Sequence, residues 1–406
     1  METYFSADFF RDNRKRLMSL LTVEVPIVIT ANALQQRNND VAHSFRQDAN
    51  FWYLTGITEP EIVLVIDKGK EYLIMPKRSL VRNIFDGNLE VSAFQNQSGV
   101  HEILDFEEGW KRLGVRLKQV DRIAMLKPPK PYIEQYEFYT NPARSAVLKK
   151  LKSYSSGIKF LDLREQFVEL RMVKQNQEID VLKRSIELTI DALKDLRKKL
   201  PTFEYEYEIE AHLLQAYRTR GARQGYAPII AGGANACVLH YDANDNKISK
   251  DSLLLIDTGA EFEYYSADIS RTFALSEPTK RQNTVFRAVL EVQDFALSNL
   301  KPGISIRQNE KLVEAFMGEK LYSLGLIKSA TGKEMRKYFP HATSHFLGID
   351  VHDLGNYDSP LLPGMVLTVE PGIYISEEGL GIRIEDDVLI TETGVEVLSQ
   401  QLPREL

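Results

Sequence analysis

Three of the seven histidines of the chain fall within one short segment, "FPHATSHFLGIDVHD" at residues 339–353. His341 and His345 are four residues apart, a spacing that would place two imidazoles on one face of a helix, as in zinc-binding helices. Thr343 and Gly348 favour a helix poorly, so an extended or looped segment is equally compatible with the sequence. The spacing alone leaves the question of a metal site open, and further ligands must come from elsewhere in the chain.

Four carboxylates lie at the ends of apolar segments. Asp257 ends the run "LLLI", and Asp268 follows eleven residues later, as in a hairpin whose second strand returns past the first. Glu370 closes "VLTVE", and Glu385 follows "GIRI" with Arg383 two positions earlier, which places Arg383 and Glu385 on the same face of a strand. Singly, each acid is typical of a turn or a helix cap. Jointly, with a histidine-rich segment between the two pairs, they indicate a metal site.

The charge of such a cluster defines the kind of metal site. Four crowded carboxylates raise one another's pKa, and two divalent cations would neutralise the group. Four oxygen-donor acids with one imidazole favour Mn²⁺, and Zn²⁺ or Co²⁺ is also compatible with this set. Two metals can hold a bridging water that becomes a hydroxide near neutral pH, and they can polarise a substrate carbonyl. The chemistry indicated is amide hydrolysis.

The composition limits the class of protein that carries this cluster. With 43% hydrophobic and 27% charged residues, the chain of 406 residues is typical of a soluble globular protein with two domains. A net charge of −6 lacks the basic excess of a nucleic-acid-binding protein, and the apolar runs are too short to suggest a membrane role. The single cysteine, Cys237, excludes an intramolecular disulfide, and the N-terminal residues lack the apolar core of a secretory signal. We therefore expect a cytoplasmic protein.

The elements that must position these side chains differ between the two halves of the chain. Up to about residue 160, short apolar runs such as "IVLVID" alternate with segments of helical period such as "EEGWKRLGVRLKQV", which predicts an α/β domain. A strongly periodic helix follows at about residues 178–200 and ends at Pro201. Beyond it, strand-like segments separated by Gly, Asp and Asn predict an α+β domain with an antiparallel sheet. We place the boundary between domains 1–165 and 166–406.

Motifs along nearly the whole chain match a known family. Residues 46–66, "RQDANFWYLTGITEPEIVLVI", resemble the opening of its first domain. The second half contains "VLHY", "IDTGAEFEYYSADISRTF", "PHATSHFLGIDVHD", "LTVEPGIYI" and "GIRIEDDVLIT" in the family's order and spacing. The sequence thus resembles the proline-specific metallopeptidases of the pita-bread fold, above all the aminopeptidase P (Xaa-Pro aminopeptidase) group, with prolidase as the nearest relative. The resemblance implies a pita-bread catalytic domain of the α+β class, preceded by an aminopeptidase P-type N-terminal α/β domain.

The resemblance also implies a role for each candidate ligand. Five side chains would bind two divalent metal ions, with Mn²⁺ the expected metal: Asp257, Asp268, His345, Glu370 and Glu385. Asp268 and Glu385 would bridge the two ions. Glu370 would also act as the base that takes a proton from the bridging water and passes it to the leaving proline nitrogen. Of the three clustered histidines, only His345 would bind metal.

The remaining site residues would contact the substrate. By resemblance, His240 and His352 hydrogen-bond the substrate and stabilise the tetrahedral intermediate, while His341 shapes the proline pocket. Arg383 and Tyr357 would orient the metal ligands and the substrate. The expected reaction removes the N-terminal residue from peptides with proline in second position, through attack of a metal-bridging hydroxide on the Xaa-Pro carbonyl.

Two alternatives stay open at this point. Prolidase shares both domains and all five ligands but requires a dipeptide, and non-catalytic peptide-binding proteins share the fold although they typically lose ligands. Methionine aminopeptidase is disfavoured because it lacks an N-terminal domain of this kind. The resemblance implies proline-containing peptides as partners and a homodimer or homotetramer. Many relatives carry a Trp that reaches the neighbouring subunit's site where this chain has Phe85, so a contribution of Phe85 to a neighbouring site is an open question.

Overall fold

The chain forms two compact units, Met1–Leu170 and Arg171–Leu406, in a computed structural model that describes residues 4–330 and 333–406. The predicted boundary between residues 165 and 166 falls within the helix Arg164–Met172. The assignment of domains to 1–165 and 166–406 therefore stays a prediction. Within the described ranges, no helix combines the length and the apolar character needed to cross a membrane.

The first unit is a mixed sheet of six strands with helices packed on it. Its helices are α1 (Ala7–Ser19), α2 (Ala49–Thr55), α3 (Leu80–Asp86), α4 (Val91–Ser98), α5 (Phe106–Leu117) and α6 (Ala143–Tyr154), and α7 (Arg164–Met172) begins at its end. Its strands are β1 (Ile27–Thr30), β2 (Gln36–Asn38), β3 (Val41–Ala42), β4 (Val63–Asp67), β5 (Lys70–Ile74), β6 (Glu102–Leu104), β7 (Arg122–Met125), β8 (Tyr132–Ile133), β9 (Phe138–Tyr139) and β10 (Lys159–Asp162). The large sheet has the order β10-β7-β1-β4-β5-β6, in which β4 is antiparallel to β1 and β5 and the other pairs are parallel.

Apolar strands that are buried along their length explain the core of this unit. All four residues of β1 are buried, as are the first four of β4, so both strands are covered on their two faces. Trp110, Leu113 and Leu117 follow one another at helical spacing on α5 and pack in the same core as Val28 and Val65. The predicted α/β character of the first domain is confirmed.

The second unit combines long helices with small antiparallel sheets. Its helices are α8 (Asn176–Lys199), α9 (Glu206–Arg218), α10 (Lys280–Asn299) and α11 (Ile306–Ser323). Its strands are β11 (Arg223–Gln224), β12 (Ile229–Gly232), β13 (Leu253–Thr258), β14 (Ala260–Phe262), β15 (Tyr265–Ser266), β16 (Ile269–Ala274), β17 (Val366–Val369), β18 (Gly372–Ile375), β19 (Leu380–Arg383), β20 (Asp386–Ile390) and β21 (Val395–Val397). The sheets have the orders β12-β13-β16, β17-β20-β21, β11-β14-β15 and β18-β19, and every pairing in them is antiparallel. The predicted α+β class is confirmed.

Helix α8 begins at Asn176, two residues before the predicted start, because a capping box fixes its first turn. The backbone N–H of Gln175 donates to the carboxylate of Glu178 over 2.9 Å, while the Gln175 side chain accepts from the helix in return. At the other end the α-helix gives way at Leu200 to a short 3₁₀ turn that contains Pro201, which has no N–H to continue the helix.

The histidine segment is irregular and lies against β17. Residues 339–353, all within the described part of the chain, form no helix. The Thr368 N–H donates to the His345 carbonyl over 3.0 Å, and the Glu370 N–H donates to the Thr343 carbonyl over 2.8 Å. These bonds favour the extended or looped path over the helix, because these two carbonyl groups accept from residues on or next to β17 and not from a later turn of the segment itself.

Candidate metal centre

Asp257 and Asp268 are brought together by the antiparallel pairing of β13 and β16. Asp257 lies opposite Ser270, and Asp268 directly precedes β16. The close return of the chain requires Gly259, because a Cβ at this position would lie 1.7 Å from the carbonyl oxygen of Ala267. Both carboxylates are buried. The returning strand predicted from their spacing is present.

Glu370 and Glu385 come from neighbouring strand ends in the second group of sheets. Glu370 follows β17, and Glu385 lies between β19 and β20. Pairing of β17 with β20 places Val369 opposite Asp386, next to both glutamates. The Glu385 N–H donates to the Ser270 carbonyl over 3.1 Å, and the Ser270 hydroxyl donates to Glu385 Oε2 over 2.6 Å. Glu385 is therefore tied to the strand that follows Asp268.

His345 presents one ring nitrogen to these acids. Its backbone N–H donates to Thr368 Oγ1 over 3.1 Å, and its Nδ1 lies 3.0 Å from the Phe346 carbonyl oxygen, which accepts the Nδ1 proton. Its Nε2 lies 3.4 Å from Asp268 Oδ2 and 3.3 Å from Glu370 Oε1. The carbonyl thus fixes the ring so that Nε2 faces the carboxylates, as expected for a metal-binding imidazole.

The ligand atoms of these side chains converge. In each of three groups, one ligand atom per residue lies within 4.8 Å of the others: Asp257, Asp268 and Glu385; His345, Glu370 and Glu385; and Asp268, His345 and His352. Asp268, His345 and Glu385 each belong to two groups, and of these three the two carboxylates have the two oxygens that a bridging ligand needs. All five predicted ligands lie together, and their roles as ligands remain predictions.

Burial and crowding oppose ionisation of three of the four acids. Burial, together with the Asp268 charge, raises the pKa of Asp257 to about 6 and that of Glu370 to about 7, although Arg383 and His345 act in the other direction. Burial and the neighbouring carboxylates hold the pKa of Glu385 well above its usual range. Asp268 differs: burial opposes its ionisation, but its hydrogen bond to His345 and the His345 charge hold its pKa below the ordinary 3.8. The cluster as a whole fits two divalent cations, whose charge would replace the protons of the other three acids, and the oxygen-rich donor set fits hard ions.

The pKa of His345 is shifted in the direction that favours its charged form. Burial disfavours its charge, but its hydrogen bond to Asp268 and the charge of Glu370 raise its pKa to about 9. The imidazolium therefore supplies part of the positive charge that the acids require, and a bound cation would take its place.

Two groups other than the predicted ligands, the half-buried Tyr226 and the buried Arg383, orient the first pair of acids. The Tyr226 hydroxyl oxygen lies 2.5 Å from Asp257 Oδ1 and 2.5 Å from Asp268 Oδ1. Arg383 donates from Nη2 to Asp257 Oδ2 over 2.5 Å and from Nε to Ser270 Oγ over 2.7 Å. Burial and the two aspartates raise the pKa of Tyr226 well above its usual range, so its hydroxyl keeps its proton. Both groups fix carboxylate orientation through hydrogen bonds.

A chain of hydrogen bonds orients the ring of His341, which is neutral. Its Nδ1 lies 2.8 Å from the Ala342 carbonyl oxygen, and its Nε2 lies 2.8 Å from the Tyr374 hydroxyl, which accepts from Arg383 Nη1 over 2.9 Å. Burial and the Arg383 charge lower the pKa of His341 to about 4. The neutral ring therefore donates from Nδ1 and accepts at Nε2, which fixes its orientation.

One cavity of about 240 Å³ contains the whole arrangement. Every residue that the sequence predicted for the site lines it, including the half-buried Tyr357 and the exposed His240 and His352. The ring of His352 lies 4.2 Å from that of His345, centroid to centroid. The buried acids thus lie inside the cavity, and two exposed imidazoles lie on its solvent side.

Two of the tyrosines described above did not emerge from the sequence. Tyr226 stands alone in "RQGYAP", a stretch without periodicity, and nothing there pointed to a role. Tyr374 had a usable signal, because residues 370, 372 and 374 alternate along the chain into β18 and side chains two apart share a face. Tyr374 could have been placed beside Glu370 on that ground.

Known protein families identify the class of this chain. The sequence model of metallopeptidase family M24 matches residues 180–392, and that of the aminopeptidase P N-terminal domain matches residues 10–124. The chain therefore belongs to metallopeptidase family M24. The expected pita-bread domain, preceded by an aminopeptidase P-type domain, is confirmed.

Within this family the chain is similar over nearly its full length to Xaa-Pro aminopeptidases. It is 34% identical to the Xaa-Pro aminopeptidase of Escherichia coli, with 96% of this chain and 94% of that protein covered, and 32% identical to that of Haemophilus influenzae, with 98% and 95% covered. The structure of E. coli aminopeptidase P with the inhibitor Pro-Leu gives a TM-score of 0.87 at 32% identity, covering 99% of this chain and 97% of that chain. Its zinc-substituted form in complex with product gives 0.85 at 31% identity, with the same coverage. The resemblance is confirmed, and the prolidase alternative is not favoured.

Proposed function

We propose that this protein is a metal-dependent Xaa-Pro aminopeptidase, which removes the N-terminal residue from peptides with proline in second position. The convergence of five metal-ligand side chains in one cavity carries the proposal. The full-length relatives named Xaa-Pro aminopeptidase support the substrate class. Retention of all five candidate ligands opposes a binding-only role, because a non-catalytic member would have no need of them.

Two divalent ions would be held by the predicted ligand set of Asp257, Asp268, His345, Glu370 and Glu385. Ions bound there would activate a water molecule and polarise the scissile carbonyl. Four carboxylates and one imidazole support Mn²⁺ as the preferred metal, with Zn²⁺ or Co²⁺ as substitutes.

Glu370 would move a proton during the reaction. Its Oε1 lies 3.3 Å from His345 Nε2, and its Oε2 lies 3.8 Å from His341 Nδ1. Burial raises its pKa to about 7, while His345 and Asp268 act in opposite directions on it. This pKa belongs to the metal-free site, and bound cations would lower it. The ionised Glu370 would then take a proton from the activated water and return it to the leaving proline nitrogen.

The imidazoles at the cavity would handle the peptide itself. His240 and His352 are exposed at its solvent side, where they would donate hydrogen bonds to the carbonyl oxygen as negative charge develops on it. His341, fixed by Tyr374, would form a rigid wall for the proline ring, and Tyr357 would orient the following part of the peptide.

Proline in second position sets a particular demand on this pocket. The Xaa-Pro bond is a tertiary amide without an N–H, so the site cannot select its substrate through that donor. Recognition must come from contacts with the pyrrolidine ring, and the side chains of Leu239 and Ala342 offer apolar surface in the same cavity.

We further propose that the protein acts in the cytoplasm as a homodimer or homotetramer. The single cysteine, Cys237, supports a reducing compartment. Four apolar side chains exposed on α3 support contact with a second copy of the chain: Leu80, Val81, Ile84 and Phe85. Sedimentation of the purified protein at the monomer mass of 46.4 kDa would contradict the oligomer.

A panel of peptides tests the enzymatic proposal. Protein reconstituted with Mn²⁺ is incubated with a tetrapeptide with proline second, the Xaa-Pro dipeptide, and a tetrapeptide with alanine second. We expect release of the N-terminal residue from the first peptide, loss of activity on chelation and recovery with Mn²⁺. Glu370→Gln serves as the inactive control. Cleavage of the dipeptide alone would assign a prolidase, and a metal-loaded protein that cleaves none of the three would refute the proposal.

A further inference from the structure

We infer that Glu206, a buried residue outside the cavity, is a positioning residue that fixes the loop of residues 232–246 and, with it, His240 at the edge of the site. The inference rests on the proposed function, from which His240 takes its role. The family resemblance assigned no role to Glu206. In the sequence, Glu206 is part of "EYEYE", a stretch that reads as ordinary helix packing.

The carboxylate of Glu206 accepts four hydrogen bonds from this one loop. Glu206 is the first residue of α9 and is only 1% exposed. Its Oε1 accepts from the Gly232 N–H over 2.9 Å and from Asn235 Nδ2 over 3.3 Å. Its Oε2 accepts from the Tyr241 hydroxyl over 2.7 Å and from the Asn246 N–H over 3.0 Å. A single side chain thus ties together the beginning, the middle and the end of the loop.

The end of the loop is fixed by further bonds. The Glu206 N–H donates to the Asn246 carbonyl over 3.0 Å. Asn244, which is buried and has a φ of 44°, accepts at Oδ1 from the Ile230 N–H over 3.0 Å and donates from Nδ2 to the Pro228 carbonyl over 2.9 Å. Asn tolerates a positive φ better than most other residues, and these two bonds fix the turn that it makes at the end of the loop.

The loop connects Glu206 to the site. Leu239 and His240 line the cavity, and Tyr241, which donates to Glu206, is the next residue along the chain. Because His240 is exposed, packing restrains its imidazole little and the backbone beside it sets its position. Glutamate suits this task, since an ionised carboxylate is purely an acceptor and its charge strengthens each bond.

A simpler role for Glu206, as the cap of helix α9, is already filled by another residue. Glu208 Oε2 accepts from the N–H groups of Glu204 and Tyr205 over 2.6 and 3.0 Å, which satisfies the helix start. The bonds of the Glu206 side chain go to the loop instead. Glu208→Gln is therefore a matched control, because it makes the same chemical change two residues away in the same helix.

The experiment compares Glu206→Gln, Tyr241→Phe, their double variant and Glu208→Gln, each as the full chain loaded with Mn²⁺. We expect kcat/KM on the tetrapeptide with proline second to fall about 10- to 100-fold in Glu206→Gln, the loss typical of a misplaced catalytic group. The kcat/KM of Tyr241→Phe should also fall, although this variant leaves the buried carboxylate in place. The fold-loss of kcat/KM in the double variant should be smaller than the product of the two single fold-losses, because both substitutions act on the same hydrogen bond between Tyr241 and Glu206. Metal content should stay at the wild-type level, and Glu208→Gln should keep wild-type kcat/KM.

Hydrogen–deuterium exchange provides a readout that needs no substrate. Glu206→Gln should speed exchange of the amides in residues 232–246, and Glu208→Gln should not. Unchanged exchange in this loop would overturn the inference whatever the enzyme cleaves. Faster exchange with unchanged kcat/KM would overturn it as well, and so would equal losses of activity and melting temperature in Glu206→Gln and Glu208→Gln. A wild-type protein that cleaves no proline peptide would instead refute the proposed function, and loop exchange would still decide whether Glu206 fixes the loop.

Discussion

Replacing Gly259 with alanine should disrupt the metal centre. The added Cβ would lie 1.7 Å from the carbonyl oxygen of Ala267 and 2.6 Å from its carbonyl carbon. Carbon–oxygen contacts normally begin at about 3.3 Å, so the two chain segments would have to separate by roughly 1.5 Å. The obstructing atoms belong to the backbone, which cannot turn aside as a flexible side chain can.

This separation acts directly on two candidate ligands. Gly259 follows Asp257 by two residues, and Ala267 immediately precedes Asp268. Moving these segments apart therefore moves the two carboxylates apart, and a misplacement of about 1 Å at a reacting centre costs on the order of 100-fold in rate. We expect kcat/KM on a tetrapeptide with proline second to fall about 100-fold or more, and bound metal to fall below the wild-type content.

The assay combines elemental analysis after gel filtration, steady-state kinetics and thermal melting. Gly394→Ala is the matched control, because a Cβ there meets nothing within 4 Å and the residue lies outside the left-handed region of φ. The control should retain wild-type metal content and kcat/KM. Wild-type values in Gly259→Ala would refute the reasoning, since they would mean that the carboxylates tolerate the wider separation.

Other perturbations test the surroundings of the site. Tyr226→Phe removes the hydroxyl that lies 2.5 Å from both aspartates, so Mn²⁺ affinity measured by chelator competition should fall about 10- to 100-fold, while Tyr132→Phe in the exposed hairpin should leave it unchanged. Asp353 is buried with Arg171 and Lys174, and although burial opposes its ionisation, these two cations hold its pKa below the ordinary 3.8. The ionised Asp353 therefore stabilises the fold at pH values above 3.8. This stabilisation is lost as the pH falls through the lower pKa that Asp353 has in the folded protein. Asp353→Asn should lower the melting temperature at neutral pH and flatten its decline below about pH 4, and a variant that keeps the wild-type acid profile would contradict this assignment.

The acids of the centre were predictable because each lies at the end of an apolar strand. Asp257 follows "LLLI" and Glu385 follows "GIRI", and a carboxylate delivered into a core must meet a compensating partner there. An acid that directly follows an apolar run is visible in neighbouring residues, so it can be recognised without knowledge of the fold. The periodic face of α8 is local in the same sense, and the structure has this helix.

The groups that orient those acids depend on contacts between distant parts of the chain. Tyr226 reaches Asp257 across 31 residues, and Glu206 reaches a loop that begins 26 residues later and ends 40 residues later. The path of the histidine segment is set by its bonds to β17, whereas its own residues were compatible with two conformations. Local propensity cannot encode such arrangements, because tertiary packing decides them.

The protonation of the acids has a consequence for how the protein matures. The pKa values of Asp257, Glu370 and Glu385 are raised, and His345 keeps its proton at neutral pH. The newly made polypeptide can therefore fold before metal binds, with the charges of these groups largely absent or balanced against one another. Ions arriving afterwards must displace those protons into the solvent. Maturation should therefore acidify a weakly buffered solution, and a drop in ambient pH should strip the ions before it unfolds the chain.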